Sequence, residues 1–291
     1  MVISIRTELP LIMIKDVAYT YLNGTTALKE INLSIYKGDF VGIMGKNGAG
    51  KTTLIRTLNG LIRPTKGAIY INNNNINNAT IATLSQKVGL IFQNASHQLF
   101  ANTVEDEIKF SLRSFNLEKE ESQKRINEIL TQFNLEKYRK RSPLNLSGGE
   151  SKKLAIASIF CRDPDILVFD EPTLGQDAKE IEFFLSLIKK ERERNKTIII
   201  ITHNVEFAFE YIPRTILMAE GKIIADGPTQ KVLNREELVK ESSLVLPQSS
   251  QLSLALKKEG FQNIDPFLSI SDAMKYLLKY FKNNTKRSQE G

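Results

Sequence analysis

A glycine-rich octapeptide at residues 45–52, GKNGAGKT, limits this chain to a small number of folds. It follows a short apolar run at 39–44 and matches the pattern G-x-x-x-x-G-K-[ST], in which glycines let the backbone turn tightly between a strand and a helix. Such a turn directs several backbone N–H groups, and the positive end of the helix dipole, at a bound phosphate. The octapeptide therefore predicts an α/β fold with a phosphate-binding loop.

This loop is expected to make three kinds of contact with a nucleotide. Its backbone surrounds the phosphates, Lys51 reaches the β- and γ-phosphates, and Thr52 places its hydroxyl on Mg²⁺. We expect Thr53 to donate a hydrogen bond to a phosphate oxygen. The nucleotide-binding residues predicted in this segment are Gly45, Lys46, Asn47, Gly48, Ala49, Gly50, Lys51, Thr52 and Thr53.

Two acidic residues follow a second apolar run. Residues 166–171 read ILVFDE, and a β-branched run lies at 197–201, with a helix expected between them at 179–194. Apolar strands separated by a helix are typical of a parallel sheet, which binds ligands at the carboxyl ends of its strands. We expect Asp170 to hold Mg²⁺ there and Glu171 to polarise an attacking water. An isolated acid pair is more often a solvated loop, but the phosphate loop upstream favours the catalytic interpretation.

The composition excludes several classes of protein. Of the 291 residues, 41% are apolar and 25% are charged, which is ordinary globular usage and excludes disordered and disulfide-scaffold proteins. Cys161 is the single cysteine, so no internal disulfide exists and a reducing compartment is favoured. No apolar run reaches the roughly 18 residues of a membrane span, and we see no secretion signal. The formal charge of +7 favours an anionic binding partner. Charge alone does not decide whether that partner is a nucleotide, a nucleic acid or a lipid surface.

Changes in composition along the chain predict a main domain at residues 11–238 and a C-terminal extension at 239–291. The main domain begins with short strands, and it contains an asparagine-rich surface turn at 72–78 and a long amphipathic helix at 118–134. Serine and proline residues between 242 and 250 predict a linker at the start of the extension.

An amphipathic helix is expected to end the extension. Three lysines, at positions 275, 279 and 282, lie largely off its apolar face. Packing on its own domain is the favoured role, and contact with a second ATPase or with anionic lipid are the alternatives. The apolar face consists of Ile270, Ala273, Met274, Leu277, Leu278 and Phe281.

The sequence LSGGE at 146–150 completes a set of motifs that resembles the ATP-binding-cassette (ABC) ATPases, whose signature is LSGGQ. The resemblance implies a P-loop NTPase of the ABC-ATPase type, with a parallel-sheet core, an antiparallel β subdomain and a helical signature subdomain. It also implies ATP and Mg²⁺ as ligands. In this family the signature binds the ATP of a partner cassette, so Ser147, Gly148 and Gly149 are expected to cap its γ-phosphate. Glu150 replaces the usual glutamine and adds a negative charge near that nucleotide.

The same resemblance assigns roles to other single positions. Tyr21 matches the aromatic residue on which adenine stacks, with Tyr19 as the alternative. Gln93 matches the glutamine that contacts Mg²⁺ and water and couples to the membrane subunit. Asp177 matches the loop that signals between the two sites, and His203 matches the histidine that contacts the γ-phosphate. The catalytic residues so implied are Glu171, His203 and Gln93, and the metal ligands are Thr52, Gln93 and Asp170.

Residues 93–111, QNASHQLFANTVEDEIKFS, resemble the corresponding segment of energy-coupling-factor transporter ATPases, with Ala95 in place of a proline. This likeness extends over residues 12–281. It implies a peripheral ATPase on the cytoplasmic face of the cell membrane that drives uptake of a transition-metal ion or a vitamin. The implied partners are a second cassette, identical or paralogous, a transmembrane coupling protein docked near Gln93 and residues 97–100, and a membrane substrate-binding protein. No nucleic acid is expected.

Two other functions stay open. One is the ATPase of a conventional ABC importer serving a periplasmic-type binding protein, which the QLF and TV motifs of the 93–111 segment disfavour. The other is a soluble ABC-type NTPase acting on nucleic acid or ribosomes, which the basic charge would suit. Such proteins carry long coiled coils or two cassettes, whereas this chain has one cassette and no heptad run between Lys51 and Ser147.

Overall fold

The computed structural model describes residues 8–94, 98–259, 261 and 270–287, and no helix among them is both long and apolar enough to cross a membrane. The strands are β1 (Ile12–Thr20), β2 (Thr26–Ile35), β3 (Phe40–Met44), β4 (Lys66–Ile71), β5 (Asn74–Asn75), β6 (Val88–Ile91), β7 (Ile166–Asp170), β8 (Thr197–Ile201), β9 (Arg214–Ala219) and β10 (Lys222–Pro228). The helices are α1 (Lys51–Leu58), α2 (Ile81–Lys87), α3 (Val104–Ser111), α4 (Lys119–Gln132), α5 (Gly148–Phe160), α6 (Ala178–Glu193), α7 (Val205–Tyr211), α8 (Thr229–Leu233), α9 (Glu236–Glu241), α10 (Gln248–Lys258) and α11 (Ile270–Arg287).

The central sheet has six strands in the order β10-β9-β3-β8-β7-β6. All neighbouring pairs are parallel except β9 and β10, which form an antiparallel edge. Every residue of β3, β7 and β8 is buried, as expected for β-branched strands that are covered on both faces. The parallel sheet predicted from the apolar runs at 166–171 and 197–201 is confirmed.

The register of the parallel strands brings three chain segments to one end of the sheet. Ile43 of β3 pairs with Ile201 of β8, and Ile201 also pairs with Asp170 of β7. The chain leaves β3 into the glycine-rich loop, β7 into Glu171 and β8 into His203. The predicted catalytic groups therefore meet at the carboxyl ends of the strands, where α/β folds bind ligands.

A second, antiparallel sheet has the order β2-β1-β4-β5 and shares an apolar core with α1 and the inner face of the central sheet. The surface turn predicted within residues 72–78 closes the last hairpin of this sheet. Asn72 and Asn73 have φ values of 50° and 61°, as a type I′ turn requires, and Asn75 pairs with Tyr70. Asparagine tolerates this left-handed backbone, which explains why two asparagines occupy the turn.

A helical layer packs beside the central sheet. Helix α4 lies within the predicted 118–134 segment and buries Ile126, Ile129 and Leu130. The ring of Phe133 then meets Phe160 of α5 edge to face, with ring centroids 5.6 Å apart. These contacts join α3, α4, α5 and α6 into the largest apolar core among the described residues.

The C-terminal extension begins as part of the main core, because α9 crosses the predicted boundary at residue 238 and buries Val239. The predicted serine-rich linker is wrong in one respect: Ser242, Ser249 and Ser250 are buried, and α10 begins at Gln248. Their small side chains permit close packing and their hydroxyls find nearby acceptors, as when the Ser242 hydroxyl donates to the Val239 carbonyl at 3.0 Å. The division into 11–238 and 239–291 itself stays a prediction.

The apolar face of α11 is only partly covered within the chain. Ala273 is buried against Leu256 of α10 and Phe261, so the helix packs within the extension, and its packing on the main domain stays a prediction. Met274 and Leu278 remain exposed over more than half of their surface. The side chains of Ile270 and Phe281, which complete the predicted stripe, lie outside the described residues.

The single cysteine is expected to be unreactive in the folded chain. Cys161 follows α5, its side chain is buried, and burial raises the pKa of the thiol to about 12. Because the thiolate is the reactive form, an aromatic disulfide reagent at pH 8 should not titrate this thiol until guanidinium unfolds the chain. Rapid reaction of the native protein would contradict the burial. The control is the unfolded protein, which should release one equivalent of the aromatic thiolate per chain.

Candidate active site

The phosphate loop is held by close backbone contacts that only glycine permits. Gly45 and Gly50 have φ values of 141° and 99°. A Cβ at Gly45 would lie 2.1 Å from the carbonyl oxygen of Met218, and a Cβ at Gly50 would lie 2.4 Å from that of Ala27. Gly48, at the tip, has a φ of 82° and faces open space. The loop is thus pressed onto the sheet on one side and open on the other, which leaves room for phosphates.

Lys51 lies inside this loop. Its ammonium donates to the carbonyl oxygens of Gly45 at 2.7 Å and of Lys46 at 2.9 Å, and the side chain is buried. Burial lowers the pKa of this ammonium, while the nearby carboxylates of Glu171 and Asp170 raise it. A desolvated ammonium between the loop and two acids is suited to bind an anion that enters the loop.

Thr52 and Asp170 form the predicted metal-binding pair. The Thr52 hydroxyl donates to Asp170 Oδ2 at 3.3 Å. Burial raises the pKa of Asp170, and the negative charge of Glu171 acts in the same direction. A hydroxyl and a carboxylate oxygen are donors of the type that Mg²⁺ prefers, and a divalent cation would offset the desolvated charge, so this pair fits the ion. Gln93, the third predicted ligand, is exposed just beyond β6 at the same end of the sheet.

Glu171 and His203 are in direct contact. Glu171 Oε1 lies 2.7 Å from Nδ1 of His203 and accepts the His203 backbone N–H at 3.1 Å. Glu171 has a φ of 51°, and its own N–H donates to the carbonyl of Ile201 at 2.9 Å. These bonds hold the carboxylate at the mouth of the site. About half of the His203 side chain is exposed, so the imidazole can reach a ligand.

Tyr21 reaches the phosphate-binding helix. Its hydroxyl is 2.9 Å from the hydroxyl of Thr53, and its ring meets that of Tyr19 edge to face at 4.8 Å. Both tyrosines therefore lie beside the loop, and the choice of Tyr21 over Tyr19 as the adenine platform stays a prediction.

The signature and Asp177 lie on the helical layer and not in the phosphate loop. Ser147 caps α5, and Asp177 caps α6 with Glu180. Gly148 has no atom within 4 Å of the position that a Cβ would take, so the start of α5 presents an open backbone surface. The capping hydrogen bonds of these two segments join residues of the same helix start, Ser147 with Glu150 and Asp177 with Glu180. The signature and Asp177, which are predicted to act on the ATP of a partner cassette, therefore lie apart from the phosphate loop of their own chain.

Glu150, the departure from the usual signature, closes a capping box. Its carboxylate accepts the Ser147 N–H at 2.9 Å, and its own N–H donates to the Ser147 hydroxyl at 3.3 Å. A hydrogen bond from Tyr138, together with that of Ser147, lowers the pKa of Glu150 to about 2. Because glutamine and glutamate serve equally in a capping box, the substitution preserves the helix start.

We therefore expect E150Q to unfold in urea at the same concentration as the wild type. E150A should lose about 0.3–1.5 kcal/mol of unfolding free energy, because the Ser147 N–H is left without its acceptor. Urea unfolding followed by circular dichroism makes the comparison. Equal stability of E150A and E150Q would show that the side-chain acceptor at position 150 contributes nothing to the cap.

Two contacts at the site were not predicted from the sequence. The Lys46 N–H donates to the carbonyl of Ser242 at 3.0 Å, so the extension touches the phosphate loop. No local pattern indicates this contact, since the two residues are far apart in the chain. Glu180 accepts the Asp177 N–H at 3.3 Å, and here the spacing D-x-x-E was an available signal for a helix start.

Comparison with known proteins agrees with this geometry. The family model described as ABC transporter matches residues 28–174, and the chain belongs to this family. It therefore carries an ABC ATPase domain, a class that binds ATP with Mg²⁺ and hydrolyses the nucleotide. The fold predicted from the sequence, with its parallel core, antiparallel sheet and helical layer, is confirmed.

Several relatives that match most of the chain over most of their own length are energy-coupling factor transporter ATP-binding proteins. EcfA2 of Clostridium tetani is 37% identical over 281 residues, covering 94% of this chain and 98% of the relative. EcfA of Methanocaldococcus jannaschii is 35% identical over 270 residues, with 92% and 97% covered. The chain spans only 44% of a longer relative, a putative ABC transporter ATP-binding protein of Methanosarcina acetivorans, at 39% identity.

Solved structures of two ABC proteins share the fold. CbiO1 from Clostridium perfringens, part of the ABC transporter complex CbiONQ, superposes with a TM-score of 0.71 at 31% identity, over 84% of this chain and 99% of that one. A dimeric ATP-binding cassette in a post-hydrolysis state, bound to ADP and Pi, gives a TM-score of 0.68 at 31% identity, over 75% and 99%.

Proposed function

We propose that this chain is the ATP-hydrolysing subunit of an energy-coupling-factor importer, which takes up a transition-metal ion or a vitamin. One observation carries the proposal: Lys51, Asp170, Glu171 and His203 lie together beside a glycine loop that is shaped to receive phosphates. The similarity to EcfA proteins over most of the chain supports the transporter type.

The residues of the site divide the work of hydrolysis. The loop backbone and Lys51 bind the β- and γ-phosphates and offset their charge. Glu171 orients the attacking water and accepts its proton, and His203 contacts the γ-phosphate side of the site while it holds Glu171 in place. Thr52 and Asp170, together with Gln93 at the same end of the sheet, would hold Mg²⁺, which would neutralise part of the phosphate charge. The protein thus acts by positioning and electrostatics rather than by covalent catalysis.

A second cassette completes each site in this proposal. The open backbone of Gly148 and the Ser147 hydroxyl, which accepts the Glu150 N–H and keeps its own proton, can cap a phosphate from outside. Because they lie apart from the loop of their own chain, the ATP that they cap belongs to a partner. Asp177, at the start of α6, is placed to signal between the two sites. ATP binding then closes the dimer, and charge repulsion between the hydrolysis products reopens it.

A groove on the helical layer is the proposed docking site for the transmembrane coupling protein. Its volume is about 400 Å³, and its apolar floor is formed by Phe100 and Phe110, whose rings meet edge to face at 4.6 Å. Glu107 shapes it by accepting the backbone N–H groups of Phe100 and Ala101 at 3.0 and 2.9 Å. An apolar floor with a charged rim suits an amphipathic helix from a membrane protein. The rim residues are Asp106, Lys109 and Arg113.

This assembly predicts a peripheral protein on the cytoplasmic face of the cell membrane. We would purify the tagged chain from detergent-solubilised native membranes and identify its partners by mass spectrometry. The wild type should recover a multi-span coupling protein and a small substrate-binding membrane protein. The double variant F100A/F110A should lose both, whereas I81A, which removes an exposed apolar side chain on α2, should keep them.

Other outcomes would favour the remaining candidates. Recovery of ribosomal or DNA-associated proteins without a membrane partner would contradict the proposal and support a soluble ABC-type NTPase. Recovery of membrane-spanning subunits together with a periplasmic-type binding protein would indicate a conventional importer.

A further inference from the structure

A lysine next to the signature is bonded to the turn that follows the catalytic carboxylate. Lys152 lies on α5, and its ammonium donates to the carbonyl oxygen of Pro172 at 2.5 Å. Pro172 comes directly after Glu171, whose own carbonyl accepts the N–H of Leu174 at 3.3 Å. A charge-assisted hydrogen bond thus joins the signature helix to the Glu171 turn.

The surroundings of this bond are tightly packed. Burial lowers the pKa of Lys152, while the carboxylate of Glu180 raises it. Glu180 stands so close to the signature that a Cβ on Gly149 would lie 2.2 Å from its Oε1. The cavity left between α5 and α6 is only about 20 Å³. Close-packed groups move together. If the start of α5 shifts, the turn after Glu171 must shift with it, or the hydrogen bond between Lys152 and Pro172 must break.

The neighbouring lysine makes a different contact and provides a matched comparison. Lys153 carries the same charge on the same helix, but its ammonium lies over the ring of Phe183, 5.1 Å from the centroid. That contact is to α6 and not to the Glu171 turn. The two lysines therefore separate the effect of the Pro172 bond from the effect of positive charge on α5.

We propose that Lys152 is a positioning residue that couples the two ATP sites of the cassette dimer. The inference rests on the proposed function, because it requires a partner cassette whose ATP is capped by the signature of this chain. Engagement of that ATP orders the start of α5, and the bond to Pro172 transmits the change to Glu171. Hydrolysis at one site then depends on occupancy of the other.

The test is steady-state ATP hydrolysis by the complex purified with its membrane partners. K152M, which keeps the apolar stem and removes the donor, should lower kcat about tenfold, at the lower end of what loss of a charge-assisted hydrogen bond produces. Its KM should not change, because the phosphate loop is untouched, and its Hill coefficient should fall towards 1. K152R should restore both, and K153M should resemble the wild type.

A normal kcat and Hill coefficient for K152M would overturn the proposal, as would equal losses in K153M. A wild-type complex that does not hydrolyse ATP or holds no membrane partner would contradict the proposed function instead. Hydrogen exchange of the wild type with a non-hydrolysable ATP analogue is the second measurement. The amides of Leu174 and Gln176 should gain protection together with those of residues 148–151, and protection of the signature alone would also overturn the coupling.

Discussion

E171Q should reduce ATP turnover by about 10²–10⁴-fold, the range for loss of a general base. The substitution keeps the shape of the side chain and an oxygen that can accept the His203 backbone N–H, which Glu171 accepts at 3.1 Å in the wild type. It removes the negative charge that orients and deprotonates water. Because ATP binding depends on the loop and not on this carboxylate, the variant should accumulate as an ATP-bound dimer.

Single-turnover hydrolysis and size-exclusion chromatography with Mg²⁺-ATP measure the two effects of E171Q. E193Q, at the exposed end of α6, removes one carboxylate charge far from the loop and is the control. Turnover by E171Q at the wild-type rate would show that another group acts as the base. Loss of ATP binding together with turnover would instead show that the substitution disturbs the site.

K51A should weaken ATP binding by roughly 10- to 100-fold, which corresponds to the loss of charged hydrogen bonds of about 1.5–3 kcal/mol. The Lys51 ammonium is already desolvated inside the loop, where the carbonyls of Gly45 and Lys46 hold it at 2.7 and 2.9 Å. Phosphate binding therefore adds no further desolvation cost for this ammonium. The loop glycines remain, so the fold of the cassette should be preserved.

Isothermal titration with an ATP analogue measures the affinity of K51A, and thermal unfolding without nucleotide checks its fold. K66A removes an exposed lysine of β4 and controls for the change in net charge. If K51A bound the ATP analogue as tightly as the wild type, the assignment of residues 45–52 as the phosphate loop would be contradicted. An equal loss in K66A would show that the effect is long-range electrostatics and not contact.

Several features of the site could be predicted because they depend on local sequence. The glycines at 45 and 50 are needed wherever the backbone takes positive φ against a neighbouring strand, so GKNGAGKT indicates the loop directly. The run ILVFDE places Asp170 and Glu171 at a strand end because a buried parallel strand is apolar throughout. Helix α4 followed from the spacing of its apolar residues.

Other features depended on how the chain packs and pairs, and could not be predicted. The serines at 242, 249 and 250 look like a linker in sequence, yet all three are buried in the folded chain. The asparagine cluster predicts a surface turn, and the structure adds that this turn closes a hairpin in which Asn75 pairs with Tyr70.

The sequence by itself determined the class of fold, the phosphate loop, the acid pair and the family, since each depends on residues that are adjacent or regularly spaced along the chain. Only the tertiary structure decided that His203 contacts Glu171 and that Lys152 reaches Pro172. These bonds join separate elements, and their lengths depend on how helices and strands pack. Packing is a property of the whole core, so no local pattern contains it.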